Sequence, residues 1–226
     1  MRLIIASSKK WFKLDKTFYN QHEVMEITKI SELTKVNIDN FCPNFIFFPH
    51  WSWVVPKSIY IAYRCILFHT APLPYGRGGS PIQNLILNGY TKAPVCALEM
   101  GAELDAGNIL GKFDIDLNGK LSDIFVRMNV AVNVLIKKII TSYPKPLPQT
   151  GDVVEFKRLK QADNEIPKEL SINQILDRIR MLDDDEYPNA FMIKNNYKIE
   201  FLNAEKSGEI LNCMAKISLL NKDKAN

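Results

Sequence analysis

Glycine is scarce in this chain of 226 residues: there are 10, about 4% where ~7% is usual, and none before Gly76. That gap removes two common nucleotide-binding signatures. A GxGxxG turn or a GxxxxGK[ST] loop follows an early strand, yet after the first strand-like run, Leu3 to Ala6, the chain offers Ser7-Ser8-Lys9-Lys10. Cysteine is sparse too. Cys42, Cys65, Cys96 and Cys213 stand far apart with no CxxC pair, which argues against a zinc knuckle or a redox dithiol and leaves free thiols. No apolar run reaches the ~20 residues of a membrane span, because Pro49, His50, Pro56 and Lys57 break the aromatic stretch from Phe45 to Tyr63. The opening apolar run is too brief for the core of a signal peptide. A cytoplasmic protein that engages no membrane is expected.

Charge of one sign is also lacking. Twenty-nine Lys+Arg against 25 Asp+Glu leave a formal +4, enough to help hold an anionic ligand but short of a dedicated nucleic-acid surface. What is present is an ordinary globular mixture, 46% hydrophobic and 24% charged, with length for one sizeable core and a small appendage.

Short β-rich apolar runs recur at Leu3 to Ala6, Val24 to Thr28, Phe45 to Phe48, Cys65 to Phe68 and Val95 to Met100, and read as buried strands. Between the later two, Ser80 is placed to cap a helix, Pro81 suits its first turn and Gly89 can end it, giving a one-helix crossover. From Ser122 to Ile140, Ile124, Phe125, Met128, Val132, Leu135, Ile136 and Ile139 recur at helical spacing, as in a long helix covering one sheet face. Alternating strands and helices predict an α/β fold with an open, Rossmann-like sheet. Three prolines and a glycine in Tyr143 to Gly151 mark a linker or semi-extended connection, with a domain boundary near 150. The part from 151 to 226 reads as a small α+β appendage. Ser171 and Gln174 form a capping-box pattern before a helix over Ile172 to Leu182, and Asn195-Asn196 joins a hairpin of Ala190 to Ile193 and Tyr197 to Phe201. An open strand edge there is expected to pair with a second copy in a homodimer. Asp183-Asp184-Asp185-Glu186 lacks the alternation of a calcium loop and reads as an acidic turn, so no metal is expected.

The densest unusual stretch is His69-Thr70-Ala71-Pro72-Leu73-Pro74-Tyr75-Gly76-Arg77-Gly78-Gly79-Ser80-Pro81, at the end of a strand, where open α/β sheets place ligands. Gly101-Ala102-Glu103-Leu104-Asp105-Ala106-Gly107 follows another strand end and supplies an acid. A histidine and a carboxylate at neighbouring carboxyl ends can exchange protons near neutrality, the carboxylate holding the imidazole tautomer. Arg77 is either a solvated loop charge or the partner of a ligand carboxylate or phosphate. Trp51 and Trp53 are either core or pocket wall. Lys9 and Lys10 are either a solvated face or contacts for a diphosphate.

These two blocks resemble the formyltransferase family that uses 10-formyltetrahydrofolate. The likeness covers roughly residues 44 to 115. It rests on His69 with Leu73-Pro74, Arg77-Gly78 and Pro81-Ile82-Gln83, on Leu104-Asp105-Ala106-Gly107, and more weakly on Trp51 to Lys57. Within the family the chain looks most like small sugar N-formyltransferases, through Tyr75 to Pro81, Phe156-Lys157-Arg158, Ile179 to Asp183 and Tyr187 to Phe191. The resemblance implies a 1–150 formyltransferase domain that moves a formyl group from 10-formyltetrahydrofolate to the primary amine of a nucleotide-linked amino sugar, in surface glycan synthesis, without metal or nucleic acid. His69 would act as general acid/base and Asp105 as its partner. Trp51, Trp53, Arg77, Gly78, Met100, Ala102, Glu103 and Leu104 would hold the folate, and Lys9, Lys10, Tyr75, Gly76 and Arg180 the acceptor. The alternatives are a methionyl-tRNA formyltransferase-like enzyme and a non-catalytic binding relative. The latter arises because Leu67 stands where the family carries an asparagine two residues before its histidine, and leucine donates no hydrogen bond.

Overall fold

The computed structural model describes residues 1–220. In chain order it forms β1 (Arg2–Ser7), α1 (Lys16–Gln21), β2 (Glu23–Ile27), α2 (Lys35–Phe41), β3 (Phe45–His50), α3 (Lys57–Tyr60), β4 (Cys65–Thr70), β5 (Tyr75–Gly78), α4 (Pro81–Leu87), β6 (Lys92–Glu99), β7 (Ile109–Asp116), α5 (Leu121–Ser142), β8 (Val154–Phe156), α6 (Ile172–Arg180), β9 (Ala190–Lys194), β10 (Tyr197–Ser207) and β11 (Ile210–Leu219). Six strands make one sheet in the order β2-β1-β3-β4-β6-β7. The first four run parallel, whereas β6 is antiparallel to β4 and β7 antiparallel to β6.

Both faces of this sheet are covered, which is why its central strands are continuously apolar rather than alternating. Leu3, Ile5, Phe45 and Phe47 face a large core completed by Ile124, Phe125, Val132, Leu135, Ile136 and Ile139 of α5. Ile4, Ala6, Ile46 and Phe48 face a second core with Ile38 of α2 and Ile59 of α3. The helical spacing read along α5 is the face that packs, and Val126, Val130 and Val134 on its other side are exposed. The expected α/β class and the covering role of α5 are thus observed.

Three local expectations need correction. The chain between β4 and β6 is not a parallel crossover: α4 spans only seven residues, about 10 Å of rise, too short to return the chain along the sheet, so β6 runs back antiparallel. Ser80 does not cap α4 with its side chain; its backbone is left-handed at φ 48°, and its hydroxyl accepts the Leu159 N–H at 3.1 Å instead. The hairpin after Ala190 extends into a third strand, and the small sheet has the order β11-β10-β9.

The segment around residue 150 is extended and fastened to the main domain. Leu147 bridges Ile109 through a reciprocal pair of backbone hydrogen bonds of 2.7 and 3.0 Å, and β8 pairs in parallel with β5. Ser171 and Gln174 form the expected capping box at the start of α6. No described helix is long and apolar enough to cross a membrane.

Candidate active site

His69 is the next-to-last residue of β4 and is almost wholly buried, with 7% of its surface exposed. Its Nε2 lies 2.7 Å from the Gly76 carbonyl oxygen, and its Nδ1 lies 3.4 Å from Asp105 Oδ2. A carbonyl oxygen only accepts, so Nε2 carries a proton. Nδ1 then faces a carboxylate, and the contact is attractive when one further proton sits between the two groups. The two groups lie side by side, so one proton can be shared between them.

Asp105 does not arrive from a neighbouring carboxyl end as expected. Because β6 is antiparallel to β4, its end at Glu99 lies beside Ile66, at the start of β4. The loop after β6 must therefore fold back along the sheet to reach His69. Gly107 makes the return feasible: a Cβ there would sit 1.7 Å from the Glu99 carbonyl oxygen. Asp105 itself takes a left-handed backbone, φ 51°, a conformation that Asp and Asn adopt more readily than most residues. Its Oδ2 also accepts the Gly78 N–H at 2.9 Å, joining the β5 turn to the loop. Gly78 at φ 100° meets Phe156 of β8 so closely that a Cβ would lie 2.6 Å from the Phe156 carbonyl oxygen.

Arg77 turns its Nε and Nη2 toward the side-chain oxygen of Gln149, at 3.0 and 2.8 Å. The Gln149 amide nitrogen in turn donates to the carbonyls of Asp105 and Gly107, at 2.7 and 2.9 Å. Sequence reading passed over Gln149, which lies between a proline and a threonine with no motif to mark it. Tyr75 packs edge-on against Phe156 and tilts toward Tyr90, forming one wall of the same turn.

On the other core face, Trp51 and Met100 pack against the same apolar cluster, and Trp53 meets Trp51 edge-on at 4.9 Å. The Trp51 indole N–H is buried without an acceptor. Ala102, Glu103 and Leu104 are exposed on the returning loop. Leu67 shares a sheet face with His69, two residues on, and packs against both cores.

Other candidates lie elsewhere. The Lys9 ammonium sits 4.7 Å over the Tyr187 ring and donates to the Glu186 carbonyl, and the Lys10 N–H donates to the Glu186 carboxylate, so both face the turn after α6. Arg180 is not brought to the His69–Asp105 pair; its guanidinium is held by Asp177 and by the carbonyls of Leu117 and Gly119. Burial pushes the Cys96 thiol, opposite His69 in the ladder, up to about 11 and that of Cys65 up to about 12, so neither is a competing nucleophile near neutrality. Burial, reinforced by the nearby Lys9 charge, pushes His50 down to about 4 and keeps it neutral.

A Rossmann-like sheet with a buried imidazole–carboxylate pair beside an arginine-bearing turn defines the class, an α/β protein with a buried polar site next to β4. Comparison makes this particular. Residues 161–218 match the family model for the methionyl-tRNA formyltransferase C-terminal domain. A solved methionyl-tRNA formyltransferase from Clostridium thermocellum is 36% identical with a TM-score of 0.93, over 97% of this chain and 99% of that one. The chain belongs to the formyltransferase family.

Two other structures share the fold alone. HypX from Aquifex aeolicus, solved with tetrahydrofolic acid, is 18% identical with a TM-score of 0.78 over 90% of this chain and 38% of its own. A 4-N formyltransferase from Francisella tularensis is 17% identical with a TM-score of 0.65 over 86% of this chain and 93% of its own. The chain spans 41% and 58% of the length of the curated methionyl-tRNA formyltransferases of Campylobacter lari and Rickettsia felis.

Proposed function

We propose that the chain transfers a formyl group from 10-formyltetrahydrofolate to a primary amine, and that the amine belongs to a nucleotide-linked amino sugar. The buried His69–Asp105 pair carries this reading. The residues present suit the donor: Trp53 is partly exposed beside Trp51, whose buried N–H lacks an acceptor, Met100 packs on the same apolar wall, and Leu104 stands exposed on the returning loop. A reduced folate brings a flat pterin face with ring acceptors, and the N10 that follows the pterin carries the formyl group.

His69 takes the proton released as the uncharged amine attacks the formyl carbon. The C–N10 bond breaks as the C–N bond to the amine forms, and the proton passes to the leaving nitrogen through the His69–Asp105 pair. Asp105 stabilises the imidazolium while it exists. Nε2 is committed to the Gly76 carbonyl, so the proton from the amine is taken up on the Nδ1 side, where Asp105 stays against the ring. Arg77, with Nη1 left free by Gln149, is suited to a folate carboxylate or an acceptor phosphate.

The balance of charge in the small sheet supports the sugar. Residues 190–219 hold four lysines against three glutamates, and Lys198 pairs with Glu200, a near-neutral balance that favours a small acceptor over a polyanion. A second reading, transfer to methionyl-tRNA, is favoured by the names of the 36% identical structure and of the family model over residues 161–218. Incubation with 10-formyltetrahydrofolate and either a panel of amino-sugar nucleotides or methionyl-tRNA separates them. Formylation of a sugar amine supports the first reading, formylation of the tRNA alone supports the second, and donor binding without turnover on either would sink both.

A further inference from the structure

Gln149 lies in an extended connection whose neighbours Leu147, Pro148 and Thr150 are exposed, yet it is itself half-buried and makes four hydrogen bonds. Its orientation is fixed by chemistry. Arg77 has only donors, so the oxygen must face the guanidinium; the Asp105 and Gly107 carbonyls only accept, so the amide nitrogen must face them. One planar group therefore joins the β4–α4 turn to the β6–β7 loop, from a part of the chain that belongs to neither. The two carbonyls it grips flank Ala106 and include that of Asp105 itself, whose left-handed backbone points the carboxylate at His69.

We propose that Gln149 is a positioning residue: it holds Asp105 against His69 and simultaneously aims Arg77. This rests on the reading of the site as a formyl-transfer centre. The β8–β5 pairing and the Leu147–Ile109 bridge bracket Gln149 and locate its backbone, so its side chain is presented to the site rather than found there by chance. Among the described residues no other side chain hydrogen-bonds to the backbone carbonyls of Asp105 or Gly107.

Two variants separate the arms. Gln149→Glu keeps an acceptor for Arg77 but turns a carboxylate oxygen toward two carbonyls, releasing the loop. Gln149→Ala removes both arms. In each, kcat falls about 10- to 100-fold, the range a displacement of roughly 1 Å in a catalytic group produces, while KM for the amine acceptor in Gln149→Glu stays within about threefold. The protein has three histidines, so the His69 Cε1–H resonance is assignable by His69→Gln, and it moves in both variants as Asp105 shifts. Wild-type kcat in Gln149→Glu, or a fall in kcat with the His69 resonance unmoved, overturns the proposal. Should the unmodified protein turn over no acceptor, the transfer reading fails on its own, and the His69 resonance alone then decides: a shift in both variants supports positioning, and no shift overturns it.

Discussion

Asp105 reaches His69 from the far end of the sheet. The two side chains meet at 3.4 Å although the strands that lead to them run in opposite directions, and the Gly78 N–H shares the same carboxylate oxygen. Asp105 thus makes two contacts, one to an imidazole and one to a backbone N–H, and substitutions can separate them.

His69→Ala removes the proposed proton carrier and is expected to lower kcat by about 10²- to 10⁴-fold with the fold intact. Asp105→Asn still accepts the Gly78 N–H and suits the left-handed backbone, so it should lose rate without losing stability. Steady-state kinetics beside a urea melt tests both. Equal loss of stability in the two variants would mean that the pair is a structural contact. Because the acceptor amine must be uncharged, the wild-type rate should also rise with pH toward neutrality.

Gly107→Ala places a methyl group where the Glu99 carbonyl already sits, and the loop must move to admit it. A cost of about 1–3 kcal/mol is expected from such overpacking, together with loss of activity. Gly101→Ala, with open space around its Cβ, should be silent in both assays. Equal behaviour of the two would contradict the close approach.

Leu67→Asn puts an amide on the sheet face that carries His69, between two apolar cores. Burial of the amide should cost about 1–3 kcal/mol. If the formyl oxygen lies beside this residue, kcat rises as the new N–H supplies stabilisation there; an unchanged kcat would show that the oxygen is held by another donor.

Acid stability should trace to His50. Its pKa is near 4 in the folded protein against 6.5 when exposed, so the unfolded chain binds more protons between those values. Stability therefore falls as pH drops from about 6.5 toward 4, by up to about 3 kcal/mol from this group. His50→Gln should flatten that segment of the stability curve, as followed by denaturant midpoints at successive pH values.

The strands β1 and β3 and the helix α5 were legible because a sheet buried on both sides selects unbroken apolar runs and a covering helix selects the 3.6 period. β7 was not, because Ile109-Leu-Gly-Lys-Phe-Asp-Ile-Asp116 alternates into polar residues at the sheet edge. Strand direction left no trace in the residues; it followed from how little length α4 provides. β11 escaped notice since nearly all its side chains are exposed, and burial is what shapes a readable pattern. His69 and Asp105 could be picked out from their flanking blocks, but that they meet depends on a loop reversal written only in Gly107. Gln149 had no such signature, being defined by three backbone and side-chain partners distant in sequence.

The tether from Leu147 through Phe156 has a practical bearing on how this protein could be recombined. A breakpoint chosen at the proline cluster would look harmless on a domain map, yet it would discard the amide that joins the Arg77 turn to the Asp105 loop and the strand that braces Gly78. Exchange of the C-terminal module for another should succeed only when the junction falls beyond Phe156, so the border that matters for inheritance of function lies several residues later than the border suggested by composition.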